Sequence, residues 1–403
     1  MKTIESEQLQ VQRKRILGIV AEYDPFHRGH ERHLRMACER VQPDFTWVAM
    51  SGCWKQRGEL AMFSPYDRAR CALEAGADAV FLLPAAWTVR DAGHYATGAV
   101  SLLAGLGATH LAFGAETDNL SEMLEAARML EQSREEFEQQ LRSGLDCGWG
   151  YPKALACAGE KVRKGLKDLL NQPNNVLGIC YLRAMMRIHE EMIPVLIPRN
   201  GSYREETIVA EAPSASAIRS AIRRGNYREA YRAVPEYSEQ VIRKAVSESR
   251  IPDEAKLDVL MIHRLRSMTR EEIGFVKDVS EGLENRIYRA ARICKTREQL
   301  LQSVSTSRYP KARISRICAW TLLDHNRTGT DSPERIHETV LLGMKKSADM
   351  TRLWKNSRVR IFTSMKETEG EPLWQADLCG WNLWNLCSGR AADDFYRQKM
   401  LIL

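Results

Sequence analysis

Between residues 16 and 114, short apolar runs alternate with longer amphipathic stretches. ILGIVAEY (16–23), FTWVAM (45–50), ADAVFLLP (77–84) and THLAFG (109–114) each read as a buried strand closed by Gly, Pro or a polar residue. Helical periodicity fills the intervals near 31–41, 65–75 and 92–106. Residues 119–142, NLSEMLEAARMLEQSREEFEQQLR, predict one long charged helix, and 153–190 predict further helices. MIPVLIP (192–198) predicts a fifth strand, and SASAIRSAIRRG (214–225) a helix ending at Gly225. Strands alternating with helices of this length imply right-handed βαβ units and a parallel sheet. From about residue 235 strand signals nearly vanish, while helical periodicity and Trp-rich segments dominate. The predicted fold class is α/β, with a Rossmann-like parallel-sheet domain over 1–234 followed by an all-α domain over 235–403. In PLWQADLCGWNLWNL (372–386), Trp374, Trp381 and Trp384 are spaced with Leu373, Leu383 and Leu386 as a helical core would be, and this outweighs a base-stacking role.

Composition narrows the class. A chain of 403 residues, 44% hydrophobic and 28% charged, has ample material for a core and is not a disordered polymer. The opening MKTIESEQLQVQRKR lacks the apolar centre of a secretory signal, and no apolar run is long enough to span a bilayer. Ten cysteines are scattered without a C-x-x-C pair, so neither a zinc site nor a disulfide framework is indicated. The expectation is a soluble cytoplasmic protein with no membrane partner and no structural metal.

The net charge is +7, and its placement matters more than its size. Lys plus Arg stand at 30 against 29 Asp plus Glu in residues 1–234, and at 29 against 23 in 235–403. Within 285–316 lie Arg286, Arg289, Arg292, Lys295, Arg297, Arg308, Lys311, Arg313 and Arg316, against Glu298 alone. A second run, 345–360, holds Lys345, Lys346, Arg352, Lys355, Arg358 and Arg360 against Asp349. A single run of this kind is usually a solvated helix face. Two in one half favour a polyanion such as nucleic acid, because each cation near a phosphate releases condensed counterions.

The first strand runs into EYDPFHRGH (22–30). In an open parallel sheet, ligands bind beyond the carboxyl ends of the strands, at helix N-termini. Pro25 ends the strand, Gly29 allows close backbone approach, and the helix opening near His30 offers free N–H groups to a phosphate. His27 and His30 beside it suit hydrogen bonding to phosphate oxygens as charge builds there. H-x-G-H alone is a weak signal, and two satisfied histidines at a helix start are the bland explanation. A second stretch, PSASAIRSAI (213–222), strengthens the first. There Ser214, Ser216 and Arg219 would meet the β- and γ-phosphates at a late helix N-terminus, Arg219 through its planar permanent charge. H-x-G-H after the first strand and a Ser-rich turn followed by Arg are the two motifs of the nucleotidyltransferase superfamily, and in it they hold ATP, with Mg²⁺, while the α-phosphorus is attacked.

Further segments resemble one family within it. MSGCWKQRGELAMFSPYDRARCALEAGADAVFLLP (50–84), GHYATGAVSLLAGLGATHLAFGAET (93–117), QPNNVLGICYLRAM (172–185) and SRYPKARISRICAWTLL (307–323) are similar to the bacterial tRNA(Met) cytidine acetate ligases. The resemblance implies that ATP and acetate give acetyl-adenylate, whose acetyl group passes to N4 of the wobble cytidine of elongator tRNA(Met). It implies ATP contacts at Val20, Ala21, Glu22, Tyr23, Asp24, Pro25, Phe26, His27, Arg28, Gly29, His30, Glu31, Arg32 and His33. It extends them to Gly114, Asn175, Arg199 and Asn200, with His27, His30 and Arg219 as the catalytic set. Asn175 reads equally well as a helix cap. Ser51, Gly52, Gln56, Arg57 and Arg68, in a loop and helix start at the same sheet edge, are assigned to acetate or phosphate positioning, and the nine cations of 285–316 to tRNA. On this reading 1–234 activates acetate with ATP and 235–403 binds tRNA.

The chain departs from the family pattern at three places. Asp24 and Arg28 stand where the family usually has Asn, and Pro65 where it commonly has Lys. Asp24 brings a negative charge near the triphosphate that Mg²⁺ or Arg28 would have to offset. Alternatives within enzymes are a nucleotidyltransferase adenylylating a small phosphorylated cofactor precursor and an acid-activating relative joining an acyl-adenylate to a small amine; from another class, the alternative is a non-catalytic RNA-binding protein with a vestigial nucleotide site.

Overall fold

The computed structural model describes residues 14–199, 214–280, 282–323, 335–346, 354 and 357–403. Five strands, β1 (Ile16–Ala21), β2 (Phe45–Ser51), β3 (Ala79–Leu83), β4 (His110–Ala115) and β5 (Ile193–Pro198), pair in parallel in the order β5-β4-β1-β2-β3. All five fall where the apolar runs placed them. The helices α1 (Arg28–Val41) and α2 (Pro65–Glu74) follow β1 and β2, and the short α3 (Ala85–Thr88) and α4 (Ala92–Gly105) follow β3. Because the chain steps outward from β1 to β3 and then crosses back to β4, the strand order reverses between β1 and β4, at the switch point where α/β sheets open their crevice.

After β4 come α5 (Leu120–Gln132), α6 (Arg134–Asp146), α7 (Tyr151–Val162), α8 (Leu166–Leu170) and α9 (Pro173–Ile188). The single helix expected over 119–142 is therefore two. Ser133 leaves the helical region (φ −98°, ψ 32°), and Glu135 and Glu136 open the first turn of α6, where the helix dipole favours negative charge. The expected 214–225 helix is α10 (Ala215–Arg223), followed by α11 (Tyr227–Arg232).

Beyond residue 235 lie α12 (Glu236–Ser247), α13 (Glu254–Ser267), α14 (Arg270–Gly274), α15 (Leu283–Ile293), α16 (Arg297–Val304), α17 (Lys311–Leu323) and α18 (Gln375–Cys387). The α/β class holds, but the expectation that 235–403 is all helical does not. Strands β6 (Glu338–Met344), β7 (Arg360–Phe362) and β8 (Leu401–Ile402) extend the sheet, with β6 antiparallel to β3 and parallel to both β7 and β8. The cause is physical: ETVLLGM is a short continuous apolar run, which periodicity cannot tell from a buried helical turn. Val340, Leu341 and Leu342 are fully buried there. Strands as short as β7 and β8 carry no readable period.

The two parts share one packed interior. Trp374, Trp381 and Trp384 are 0%, 3% and 1% exposed, as the core reading requires, whereas Leu386 is 53% exposed. Trp384 Nε1 donates to Ala61 O at 2.8 Å, Trp320 Nε1 to Val89 O at 2.8 Å, and the Ala85 N–H to Asp377 Oδ2 at 2.8 Å. Gly58 (φ +70°) lies so close to α17 that a Cβ on it would sit 2.6 Å from Arg316 Cα. No described helix is long and apolar enough to cross a membrane. The Trp384→Ala variant removes a buried indole and its bond to the 59–64 loop. Urea unfolding should show a loss of about 3–5 kcal/mol, and a loss below about 1 kcal/mol would mean that α18 does not brace that loop.

Candidate active site

The turn from β1 into α1 is held by its own histidines. His27 is the N-cap of α1, and its Nδ1 accepts the Gly29 N–H at 3.0 Å. The His27 N–H in turn donates to His30 Nδ1 at 3.3 Å, closing a reciprocal capping box. The two rings stack with centroids 3.6 Å apart. Since both Nδ1 atoms accept, this network fixes both imidazoles in the tautomer that carries the proton on Nε2. Each then has one donor left for a ligand. A Cβ on Gly29 would lie 2.9 Å from His27 Cε1, so a side chain there would crowd the cap.

The other family positions converge on this corner. A Cβ on Gly114, at the end of β4, would meet Arg199 Cγ at 3.2 Å and His33 Cδ2 at 3.8 Å, so the glycine lets both side chains close over the strand end. Arg199 Nη1 donates to Asn174 Oδ1 at 3.2 Å. Asn175 is buried in the first turn of α9, whose cap position belongs to Gln172, so the helix-cap alternative does not hold. Its Oδ1 accepts the Glu116 and Thr117 N–H groups at 2.9 and 3.1 Å, and Glu116 Oε2 accepts the Asn175 N–H at 2.9 Å. Asn175 thereby clamps the β4 exit against α9. Asn200 lies outside the described residues, as do Arg352 and Lys355 of the second basic run.

Three largely buried imidazoles and the exposed Arg199 crowd one corner, and the charge states of the imidazoles follow. Burial, and then the Arg199 charge, push His27 and His33 down to about 4. Burial, His27, His33 and Arg199 together hold His30 well below its ordinary value. At neutral pH all three are uncharged donors.

Asp24 sits under the same turn, 2% exposed. Its Oδ1 accepts the Met62 and Phe63 N–H groups at 2.9 and 3.0 Å. Its Oδ2 lies 3.2 Å from Lys55 Nζ and 3.8 Å from Arg219 Nε. Burial alone would raise this carboxyl, but the Lys55, Arg68 and Arg219 charges and the Met62 N–H hold it below its usual value. Of the two expected offsets for Asp24, Mg²⁺ or Arg28, the second is corrected: Arg28 is exposed and donates to Arg232 O at 3.2 Å, while Lys55, Arg68 and Arg219 supply the countercharge. Lys55 is the residue that sequence reasoning missed, because no local pattern couples it to Asp24.

Arg219 is placed by α10, whose Ile218, Ala221 and Ile222 pack on Met62 and Phe63. Its Nη1 donates to Asp24 O at 2.7 Å and its Nη2 to Ser216 Oγ at 3.1 Å. Ser214 caps α10 by accepting the Ala217 N–H. The two sequence motifs, far apart in the chain, are thus joined through Asp24. Of the residues assigned to acetate or phosphate positioning, Arg68 is 1% exposed and donates to the carbonyls of Glu22, Gly52 and Phe63, which makes it an internal brace. Ser51 and Gly52 are buried around it. Gln56 is half-buried, takes Glu22 Oε1 on its N–H at 2.8 Å and donates to Arg90 O, while Arg57 is exposed.

The basic run divides by burial. Arg286, Arg289, Arg292, Lys295 and Lys311 are exposed, the first three along α15. Arg316 is buried on Asp278 at 2.8 Å, Arg313 donates to Asp278 O at 2.9 Å, and Arg297 donates to Gly58 O at 3.3 Å, so these three brace the fold. Arg308 pairs with Asp146 and Lys311 with Glu298.

A histidine-capped helix at the switch point of a parallel sheet, facing a late Ser/Arg helix, defines the class. The chain belongs to the HIGH nucleotidyl transferase family, whose model matches residues 14–398. It is 30% identical to the tRNA(Met) cytidine acetate ligase of Fervidobacterium nodosum, over 95% of this chain and 94% of that one. It is 34% identical to the enzyme of the same name from Syntrophomonas wolfei, over 87% of each. With those relatives it is a member of the tRNA(Met) cytidine acetate ligase family. Crystal structures of Thermotoga maritima TmcAL, one apo and one bound with alpha-thio ATP, superpose with TM-scores of 0.84 and 0.82 at 26% identity, covering 96% of this chain and 99% of those.

The neutral histidines make a stability prediction. Unfolded, each binds a proton below about pH 6.5; folded, His27 and His33 refuse it until about pH 4. The unfolded state therefore holds more protons in that window, and stability falls as pH falls through it. Burial pushes the Asp377 carboxyl up to about 7, which opposes this trend equally in parent and variant, so the test is the difference between them: from pH 6.5 to 5 the Tm of His33→Asn should decline less, or rise more, than the parent's. Equal slopes for the two proteins would show that His33 is not held neutral.

Proposed function

We propose that this enzyme activates acetate with ATP as acetyl-adenylate and transfers the acetyl group to N4 of the wobble cytidine of elongator tRNA(Met). The observation that carries the reading is the junction of the two motifs at the β1/β4 crevice: His27, His30, His33, Gly114 and Arg199 at one lip, Arg219 and Ser216 at the other. Its support from outside the chain is the alpha-thio ATP bound by the Thermotoga maritima relative and the name shared by the curated relatives.

In the first step an acetate oxygen attacks the α-phosphorus and pyrophosphate leaves. The Nε2–H groups of His27 and His30 donate to phosphate oxygens where charge develops, beside the N-terminal dipole of α1. Arg219 serves the β- and γ-phosphates, and Arg199 with Gly114 the nucleoside end. In the second step the N4 lone pair attacks the acetyl carbonyl carbon, the C–O bond to AMP breaks, and N4 loses a proton. The amine is a poor nucleophile and the anhydride compensates, with positioning supplying the rest. A splayed anticodon loop leaves the base reachable, and the exposed α15 cations suit the RNA backbone. No group of three metal-ligating side chains occurs among the described residues, and Asp24 is buried, with Oδ1 on two N–H groups and Oδ2 beside the Lys55 charge. Mg²⁺ would arrive on the phosphates as part of the substrate, held by them and by water, where it neutralises phosphate charge.

Two measurements test the reading. Protein, ATP, Mg²⁺ and unmodified elongator tRNA(Met) with labelled acetate should yield N4-acetylcytidine at the wobble position on nucleoside analysis. Acetate-dependent ATP–pyrophosphate exchange without RNA labelling would leave the adenylation chemistry and refute the acceptor. His30→Ala should cut exchange by about 10²–10³-fold with tRNA binding intact. Arg289→Glu combined with Arg292→Glu should weaken tRNA binding and leave exchange unchanged; loss of exchange in that pair would refute this division of labour.

A further inference from the structure

The charges under the nucleotide corner compete for the same atoms. Asp24 Oδ2 lies 3.2 Å from Lys55 Nζ and 3.8 Å from Arg219 Nε. Glu59 Oε2 lies 2.9 Å from Lys55 Nζ and 3.4 Å from Arg219 Nη2. Two cations thus face the same two oxygens, and the lysine is nearer to each. The Lys55 side chain is 3% exposed and that of Arg219 11%, so the arginine is the more accessible of the two cations. The other carboxylate oxygen of Asp24 is spent on the Met62 and Phe63 N–H groups. With Lys55 removed, Arg68 is held by the carbonyls of Glu22, Gly52 and Phe63, so Arg219, already 3.8 Å from Oδ2, is the cation that would be drawn inward to the buried carboxylate.

We infer that Lys55 is a positioning residue of the ATP site: by occupying Asp24 and Glu59 it leaves the Arg219 guanidinium available to the β- and γ-phosphates. The inference rests on the reading of Arg219 as a phosphate ligand. It also explains how the chain carries Asp24 beside a polyanion site, since Asp24 and Lys55 form a neutral pair beneath the phosphates. If both members are replaced by neutral groups of similar size, the buried carboxylate that would draw Arg219 inward is gone, and the half-exposed Glu59 keeps the contact it already makes with Arg219.

The test is titration calorimetry with ATP and with AMP, without acetate or RNA, so that the outcome does not depend on which acid or acceptor the enzyme uses. Lys55→Met should weaken ATP binding about tenfold and AMP binding less than twofold, because only ATP reaches Arg219. Asp24→Asn combined with Lys55→Met should recover ATP affinity to within about threefold of the parent. Unchanged ATP affinity in Lys55→Met, equal losses for ATP and AMP, or no recovery in the double variant would each overturn the inference. Should Lys55→Met fail to fold, Asp24→Asn is compared with the double variant: equal ATP affinities support the inference, and a further tenfold loss in the double overturns it. Arg219→Met separates the two levels. Parental ATP affinity in that variant would sink the reading of Arg219 itself, while a loss there with none in Lys55→Met would sink the Lys55 inference alone.

Discussion

The carboxylate of Asp24 is the interaction on which the site depends. It lies at the one place where the β1–α1 turn, the 55–63 loop and the α10 helix meet, and it touches all three: Met62 and Phe63 through their N–H groups, Lys55 and Arg219 through charge. Buried this deeply, it is affordable only because Oδ1 accepts two N–H groups and Oδ2, which takes no hydrogen bond, lies beside the Lys55 and Arg219 charges. The consequence is mechanical. The H-x-G-H turn and the Ser/Arg helix cannot shift independently, since each is tied to the same buried group.

The 55–63 loop is held from its other side by the C-terminal half. Ser315 Oγ and Arg297 Nη2 donate to Gly58 O, and Trp384 Nε1 donates to Ala61 O. The basic helices are therefore fastened to the backbone that positions Asp24. Arg297 serves that fastening, Arg313 and Arg316 tie α17 to the 278–280 segment, and the cations left exposed are those of α15 with Lys295 and Lys311. Charge counted along the sequence conflates these two uses, because an arginine that braces a loop and one that waits for a phosphate contribute equally to a net charge of +7.

How much could be read in advance follows from which signals are local. The five parallel strands and the β1–α1 corner were legible, because apolar runs closed by Gly or Pro and an H-x-G-H at a helix start are short-range patterns. Ser133, which splits one expected helix in two, carries only the weak signal of a serine ahead of two glutamates. β6 was not legible, since a buried edge-side strand and a buried helical turn have the same apolar composition. Asn175 had two readings and the structure gives it a third position, inside the first turn rather than at the cap. Lys55 was beyond any local pattern: its meaning is its partnership with Asp24 and Glu59, set by tertiary packing of a loop against a strand end.

The same corner raises the question of how uncharged imidazoles serve a polyanion. Burial and the Arg199 charge keep His27, His30 and His33 from taking up a second ring proton, and the capping box leaves Nε2–H on His27 and His30. A permanently protonated pair would bind the ground-state triphosphate more strongly, but it would also bind released pyrophosphate strongly. Neutral donors fixed in direction interact weakly with diffuse charge and more strongly with charge concentrated at the oxygens they face, which is what the departing pyrophosphate presents as its bond breaks. The fixed charge at the site is thereby delegated to arginines at the two lips, and the histidines are left to sense where charge develops.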